Sequence, residues 1–204
     1  MRIYLARPGE TLLDEQRLFH SRTETSLSTL GKEQAQKLAM VLFQENIGAV
    51  YTSNNSYCRQ TLHSFVNLTG PQVNQIDELA EVNYGPYEGK GKAQFFADFK
   101  NRYQHDWSDN PFLPAPPGVE SFDEVKARTA FITDIIKSKP SDALLIMAGD
   151  VTYRAITANF LALRDFNWKD LRTYFTGLSM FEFDNDDFSL KYYNSLAHLL
   201  DTKD

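Results

Sequence analysis

Cysteine occurs once in the 204 residues, at Cys58. A single thiol excludes an intramolecular disulfide and a thiolate zinc cluster, and it fits a reducing cytosol. The chain is therefore expected in the cytoplasm. Positive charge is in deficit, with 21 Lys+Arg against 27 Asp+Glu and a formal charge of -6. No diffuse positive field exists to hold nucleic acid or an anionic bilayer, so neither is an expected partner. Long apolar runs are missing as well. None approaches the roughly 20 residues of a membrane span, and the run Ile3-Tyr4-Leu5-Ala6 stops at Arg7-Pro8-Gly9, too early for a signal peptide. Repeats and low-complexity tracts are absent, and His, Asp and Glu nowhere take the spacing of a metal site. No metal and no cofactor are expected.

What is present suits one compact domain: 42% hydrophobic and 24% charged residues over a length that can bury a core. A single domain over residues 1–204 is expected, with a variable insertion or lid at about 90–118. The apolar run Arg2 to Ala6 reads as a strand. Ser28 to Phe43 follows with Leu30, Ala35, Leu38, Ala39 and Leu42 at helical spacing. The pattern repeats with a β-branched and aromatic strand at Ile47 to Thr52 and a helix at Tyr57 to Leu68, and such alternation favours a parallel sheet. Ser121-Phe122-Asp123-Glu124 is a capping box opening a helix to about Lys137. Ala143 to Met147 reads as a strand buried on both faces, and Val151 to Leu163 as its helix. Gly177 to Phe183 and Ser189 to Tyr193, joined by Asp184 to Asp187, read as a final hairpin. The expected fold is α/β, a three-layer α/β/α sandwich with a mostly parallel central sheet.

In such sheets ligands bind beyond the carboxyl ends of the strands. The loops to inspect are Arg7 to Arg22, Ser53 to Arg59, Glu78 to Gly89 and Ala148 to Arg154. The first carries Arg7, Gly9, Glu10, Thr11, Asp14, His20 and Arg22, and the last puts Gly149 and Asp150 at a helix start. These loops carry a resemblance. Arg7-Pro8-Gly9-Glu10-Thr11, Arg22-Thr23 and Leu27 to Gly31 followed by Gln34-Ala35 are similar to the opening of the histidine phosphatase superfamily, the phosphoglycerate mutase-like proteins. Tyr51-Thr52-Ser53 with Gln60-Thr61, Leu79-Ala80-Glu81, Tyr84 to Gly89, Pro117 to Ser121, and Leu145 to Met147 with Arg154-Ala155 follow in family order.

The resemblance implies the phosphoglycerate mutase-like fold and phosphoryl chemistry through a phosphohistidine, with a second histidine, two clamping arginines and a carboxylate acid. An imidazole can attack near pH 7, arginines bind equatorial oxygens bidentately, and the acid protonates the leaving alkoxide. Against that pattern the family's Arg-His-Gly-Glu-Thr reads Arg7-Pro8-Gly9-Glu10-Thr11, the second clamp arginine falls on Tyr57, and the second histidine falls on Gly149. Arg7 and the acid position Glu81 are retained, and Asp14 replaces a usual asparagine. Losing a nucleophile costs about 10⁴ to 10⁶ in rate, and losing a clamping arginine about 10³ to 10⁵.

With these replacements the resemblance implies a family fold without family chemistry, acting by binding a small molecule or a protein at the altered pocket. The expected ligand-binding set is Arg7, Gly9, Glu10, Thr11, His20, Arg22, Glu81 and Asp150, and a homodimer stays open. The alternative is an active phosphomonoesterase with a relocated nucleophile, His20, Cys58 or Asp150. A third reading is an interaction subunit with an exposed apolar patch on the Phe95 to Trp107 helix or on the proline-rich loop of Asp106 to Gly118. Plainer readings stand beside these. Arg7 can pair structurally with Glu10 or Asp150, Cys58 can be a small buried hydrophobe, and the Phe95, Phe96, Phe99, Tyr103 and Trp107 stripe can be core.

Overall fold

The computed structural model describes residues 1–103, 115–138, 141–164, 166 and 168–200. His105, Trp107 and much of the proline-rich part of the expected 90–118 lid lie outside them. The described strands are β1 Arg2–Ala6, β2 Ala49–Thr52, β3 Gln72–Gln75, β4 Ala143–Met147, β5 Leu178–Asp184 and β6 Asp187–Ser195. They form one sheet in the order β3-β2-β4-β1-β5-β6. The first four run parallel, and β5 and β6 are antiparallel additions on the β1 side. The helices are α1 Leu12–Glu15, α2 Thr29–Leu42, α3 Ser56–Thr69, α4 Lys92–Tyr103, α5 Phe122–Thr129, α6 Phe131–Lys137 and α7 Asp150–Phe160.

Every residue of β4 is fully buried, as a central strand covered on both faces must be. Side chains alternate across the pleat. Tyr4, Ala6, Leu145 and Met147 pack with Leu38 and Leu42 of α2 and Leu62 and Phe65 of α3. Ile3, Leu5, Leu144 and Ile146 face the other way, onto Ile132 and Ile136 of α6 and Tyr153, Ile156 and Phe160 of α7. These are the three layers expected.

The aromatic stripe turns inward. Phe95 and Phe99 are fully buried, and Phe19 meets the Phe95 ring edge-on at 4.9 Å. Together with Phe122, Val125 and Val151 they make a third core, while Phe96 is the exposed one of these three helix aromatics. The exposed patch of the interaction-subunit reading does not form from Phe95 and Phe99.

Two elements depart from expectation. The single helix expected to Lys137 is broken at Ala130, where the backbone N–H bonds back to Ala127 O in the three-residue manner. The Lys126 carbonyl that would have accepted it takes the Asn159 side-chain amide at 3.0 Å and the Thr129 hydroxyl at 3.2 Å, and such back-bonding bends helices. The sheet also gains β3, which sequence reading did not mark. Its Gln-Val-Asn-Gln residues are mostly exposed at the sheet edge, so burial imposes no alternation to read. The hairpin turn is tighter than expected, with Asn185 and Asp186 both left-handed at φ 49° and 65°, the geometry that matches strand twist.

Candidate functional site

The ends of β1 and β4 open into a cavity of about 160 Å³. Arg7, Pro8 and Gly9 enter its wall directly from β1, and Gly149, Asp150 and Val151 from β4 and the start of α7. Thr11, Asp14 and His20 come from the following loop and α1, Tyr57 from α3, and Glu81 and Tyr84 from the segment after β3. The β1 loop is held close by small residues. Gly31 of α2 sits against Glu10, whose carbonyl carbon would lie 2.9 Å from any Cβ there, and Gly9 N donates to Thr61 Oγ1 at 3.1 Å.

One wall is organised around Arg7, Asp150 and Glu81. Arg7 Nη1 donates to Thr173 O at 3.0 Å and Thr173 Oγ1 at 3.1 Å, and lies 3.8 Å from Asp150 Oδ1. Its guanidinium stacks over Phe175 at 4.8 Å. Asp150 Oδ1 in turn takes Arg154 Nη2 at 2.8 Å. Burial disfavours the Asp150 charge, but Arg7, Arg154 and the Thr173 hydroxyl hold its carboxyl below the usual range. Glu81 is pushed the other way, upward, by burial and by the neighbouring Asp150 charge, against bonds from backbone amides. Those bonds come from Val82 N at 2.6 Å, Val151 N at 2.9 Å and Thr152 N at 3.3 Å. Glu81 therefore caps the first turn of α7, satisfying amides that a helix start leaves orphaned.

The opposite wall is organised around Asp14. Its Oδ2 accepts from Thr11 Oγ1 at 2.9 Å and lies 3.1 Å from His20 Nε2, while Oδ1 accepts from Lys92 Nζ at 3.1 Å. Burial again opposes ionisation, yet His20, Lys92 and Thr11 hold the Asp14 carboxyl well below the ordinary carboxylate range. His20 packs edge-on against Tyr57 at 5.3 Å. Burial of the Tyr57 and Tyr84 phenols pushes both well above their ordinary range, so both stay neutral.

A sequence model of the histidine phosphatase superfamily (branch 1) matches residues 3–196. The chain belongs to the histidine phosphatase superfamily. Relatives of this superfamily member include "Putative phosphoserine phosphatase 2" of Hydrogenobacter thermophilus, 25% identical over 97% of both chains. Phosphoserine phosphatase 1 of the same organism is 21% identical over 80% of this chain and 77% of its own. Among solved structures, Bacillus stearothermophilus YhfR superimposes with a TM-score of 0.88 at 24% identity, covering 98% of this chain and 99% of its own. A mycobacterial glucosyl-3-phosphoglycerate phosphatase, in a complex with VO3, gives 0.85 at 24% identity over 95% and 98%. The fold of this superfamily member is thus the phosphoglycerate mutase-like one.

Of the residues expected at the site, Arg7, Gly9, Thr11, His20, Glu81 and Asp150 meet at the cavity, with Pro8, Tyr57 and Gly149 beside them. Three expected candidates stand elsewhere. The Glu10 carboxylate accepts from the Ser28 hydroxyl at 2.8 Å instead of facing the cavity. Arg22 is exposed in a loop that Glu88 staples through Ser21 N and Thr23 Oγ1. Cys58 is buried outside the cavity, 3.4 Å from Ser53 Oγ, with burial pushing its thiol up to about 11. Phe175 and Thr173 carried no signal in the sequence. Lys92 lay in Lys90-Gly91-Lys92, a pair of cations too short to interpret alone. Among the described residues no group of three or more His, Cys, Asp or Glu is placed to hold a metal, and no helix is long and apolar enough to cross a membrane.

Proposed function

We propose that this superfamily member has lost phosphohistidine chemistry and acts by binding a small molecule in its cavity. The observation that carries this reading is Pro8. It lines the cavity directly after Arg7, where the family motif has its nucleophilic histidine, and its ring nitrogen is an amide that cannot attack phosphorus. Two further replacements support it, since Tyr57 and Gly149 supply neither a guanidinium nor an imidazole. Arg7 cannot take over the attack, because a guanidinium stays charged and has no lone pair to offer phosphorus. Phosphomonoester hydrolysis is among the slowest uncatalysed reactions, so a weakened site has little slack. We place the protein in the cytoplasm, as one domain with a lid at about 90–118, on the same sequence grounds as before.

A second reading is favoured by one observation. His20 lines the cavity with Nε2 held by Asp14, and its Nδ1 has no hydrogen-bond partner, as a relocated nucleophile would require. Cys58 is buried away from the cavity, and Asp150 is tied to Arg154. Hydrolysis of an aryl phosphate from about pH 5 to 9, with phosphoserine and glucosyl-3-phosphoglycerate as further esters, separates the two readings. Wild type, Arg7→Ala and His20→Ala should all match buffer. Turnover that disappears in His20→Ala, with phosphate trapped on His20 by mass spectrometry, overturns the binding-protein reading.

A further inference from the structure

Two nitrogens on the cavity wall lack partners. Arg7 Nε and His20 Nδ1 are both buried without a hydrogen bond, and both side chains line the same cavity. Native proteins seldom leave buried polar atoms unpaired, so two in one cavity mark where a bound molecule completes the bonding.

The two nitrogens differ in character. Arg7 Nε–H is a donor in every state. The described hydrogen bonds of Arg7 leave from Nη1, so the edge formed by Nε and Nη2 faces no protein acceptor among the described residues. That edge pairs with two coplanar oxygens through parallel bonds, the geometry of a carboxylate. The character of His20 follows from Asp14, which is held ionised and therefore only accepts. The Nε2 facing it at 3.1 Å is therefore a donor, while Nδ1 accepts in the neutral ring and donates in the charged one. A hydroxyl, which both donates and accepts, pairs with Nδ1 in either state.

Charge then decides between a phosphate ester and a carboxylate. Asp14, Glu81 and Asp150 line the cavity against Arg7 and Lys92, and Lys92 Nζ already sits on Asp14. A dianionic phosphate with three oxygens to satisfy would meet one free guanidinium edge among three carboxyl groups. A planar monoanion needs only the edge. Phe19, Phe96, Phe175 and Tyr84 supply an aromatic surround, and 160 Å³ leaves room for about ten water-sized groups.

We infer that the cavity binds a small aryl monocarboxylate bearing a hydroxyl, with the carboxylate on the Nε and Nη2 edge of Arg7 and the hydroxyl hydrogen-bonded to His20 Nδ1. This rests on the ligand-binding function proposed above. Titration calorimetry near pH 7 with the three hydroxybenzoate isomers, benzoate and phenyl phosphate tests it, the isomers sampling the separation of the two polar groups. One isomer should bind at least about tenfold more tightly than benzoate and phenyl phosphate. Arg7→Lys should weaken that isomer about tenfold or more, since an ammonium cannot make the paired bonds. His20→Phe should abolish the preference for that isomer over benzoate. Thermal melts establish that each variant is folded, and the isomer series on wild type needs no variant at all. Tighter binding of phenyl phosphate than of every isomer, no binding of any isomer up to about 5 mM, or no effect of a folded Arg7→Lys overturns this ligand class while leaving the binding-protein reading standing. Release of phenol from phenyl phosphate in the same cell would overturn the binding-protein reading itself.

Discussion

Asp14 and Glu81 line the same cavity and are driven in opposite directions. Both are buried, and burial alone would raise both. Asp14 escapes because Lys92 Nζ, His20 Nε2 and the Thr11 hydroxyl converge on it. Glu81 is bonded mainly by backbone amides, and the Asp150 charge beside it adds to burial, which together outweigh those bonds and the Arg7 charge. The lesson is that one wall is an electrostatic assembly of α1, the loop after it and α4, while the other is a helix cap fixed to the core. A ligand on the Asp14 wall meets a fixed charge pattern. On the Glu81 wall it meets a group whose first duty is to hold α7.

Breaking the cap should cost most. Glu81→Ala leaves the Val151 and Thr152 amides unpaired in a buried position, and urea denaturation should show a loss of about 3 kcal/mol. Gly149→Ala attacks the same contact from the other side, because a Cβ there would overlap Glu81 Oε2 and stand 2.8 Å from its carboxyl carbon. Overpacking of this kind should cost about 2 kcal/mol, read as a fall of about 4–8 °C in melting temperature for a chain of this size. A wild-type melting temperature in the glycine variant would show that the cap is looser than the contact suggests.

Asp14→Asn removes the acceptor that two bases share and should cost about 2 kcal/mol near neutral pH. Its pH dependence sharpens the comparison. The folded Asp14 pKa lies below the unfolded value of about 3.9, so its stabilisation is present above that pH and is lost as pH falls through the lowered folded pKa. The gap between wild type and Asp14→Asn should therefore narrow in acid. Glu81 carries the opposite sign. Its folded pKa lies above the unfolded value of about 4.3, so its contribution is full below that pH and declines as pH rises through the raised folded pKa. Glu81→Gln should lose less stability than wild type over that rise, and parallel profiles for the two proteins would refute the assignment. The smallest effect should come from Lys92→Ala. That ammonium is over a third exposed, and its loss should cost no more than about 1 kcal/mol, shrinking with added salt.

Much of the sheet and its helices was legible because the rules that make them are local. Strand β4 reads as five consecutive apolar residues, α5 announces itself through the Ser121 and Glu124 capping box, and α3 ends at Gly70 in the left-handed conformation glycine favours. The loops after β1 and β4 were among the four singled out as candidates because a parallel sheet gathers its loops at the strand ends. Strand β3 escaped because an exposed edge needs no apolar alternation. The break at Ala130 escaped because Asn159, thirty residues away, takes the carbonyl on which the helix depended.

The sequence by itself determined the layered α/β architecture, the positions of the loops that gather at the strand ends, and the Arg7-Pro8-Gly9 stretch that leaves β1. Periodicity, capping and residue identity are written one stretch at a time, so a single chain displays them. Only the tertiary structure decided which charges meet. It brought Lys92 to Asp14 and Thr173 to Arg7, turned Glu10 and Arg22 away from the cavity, and left Arg7 Nε and His20 Nδ1 unpaired inside it. Such pairings depend on how distant loops close over a packed core, where a shift of a few ångströms makes or breaks a hydrogen bond.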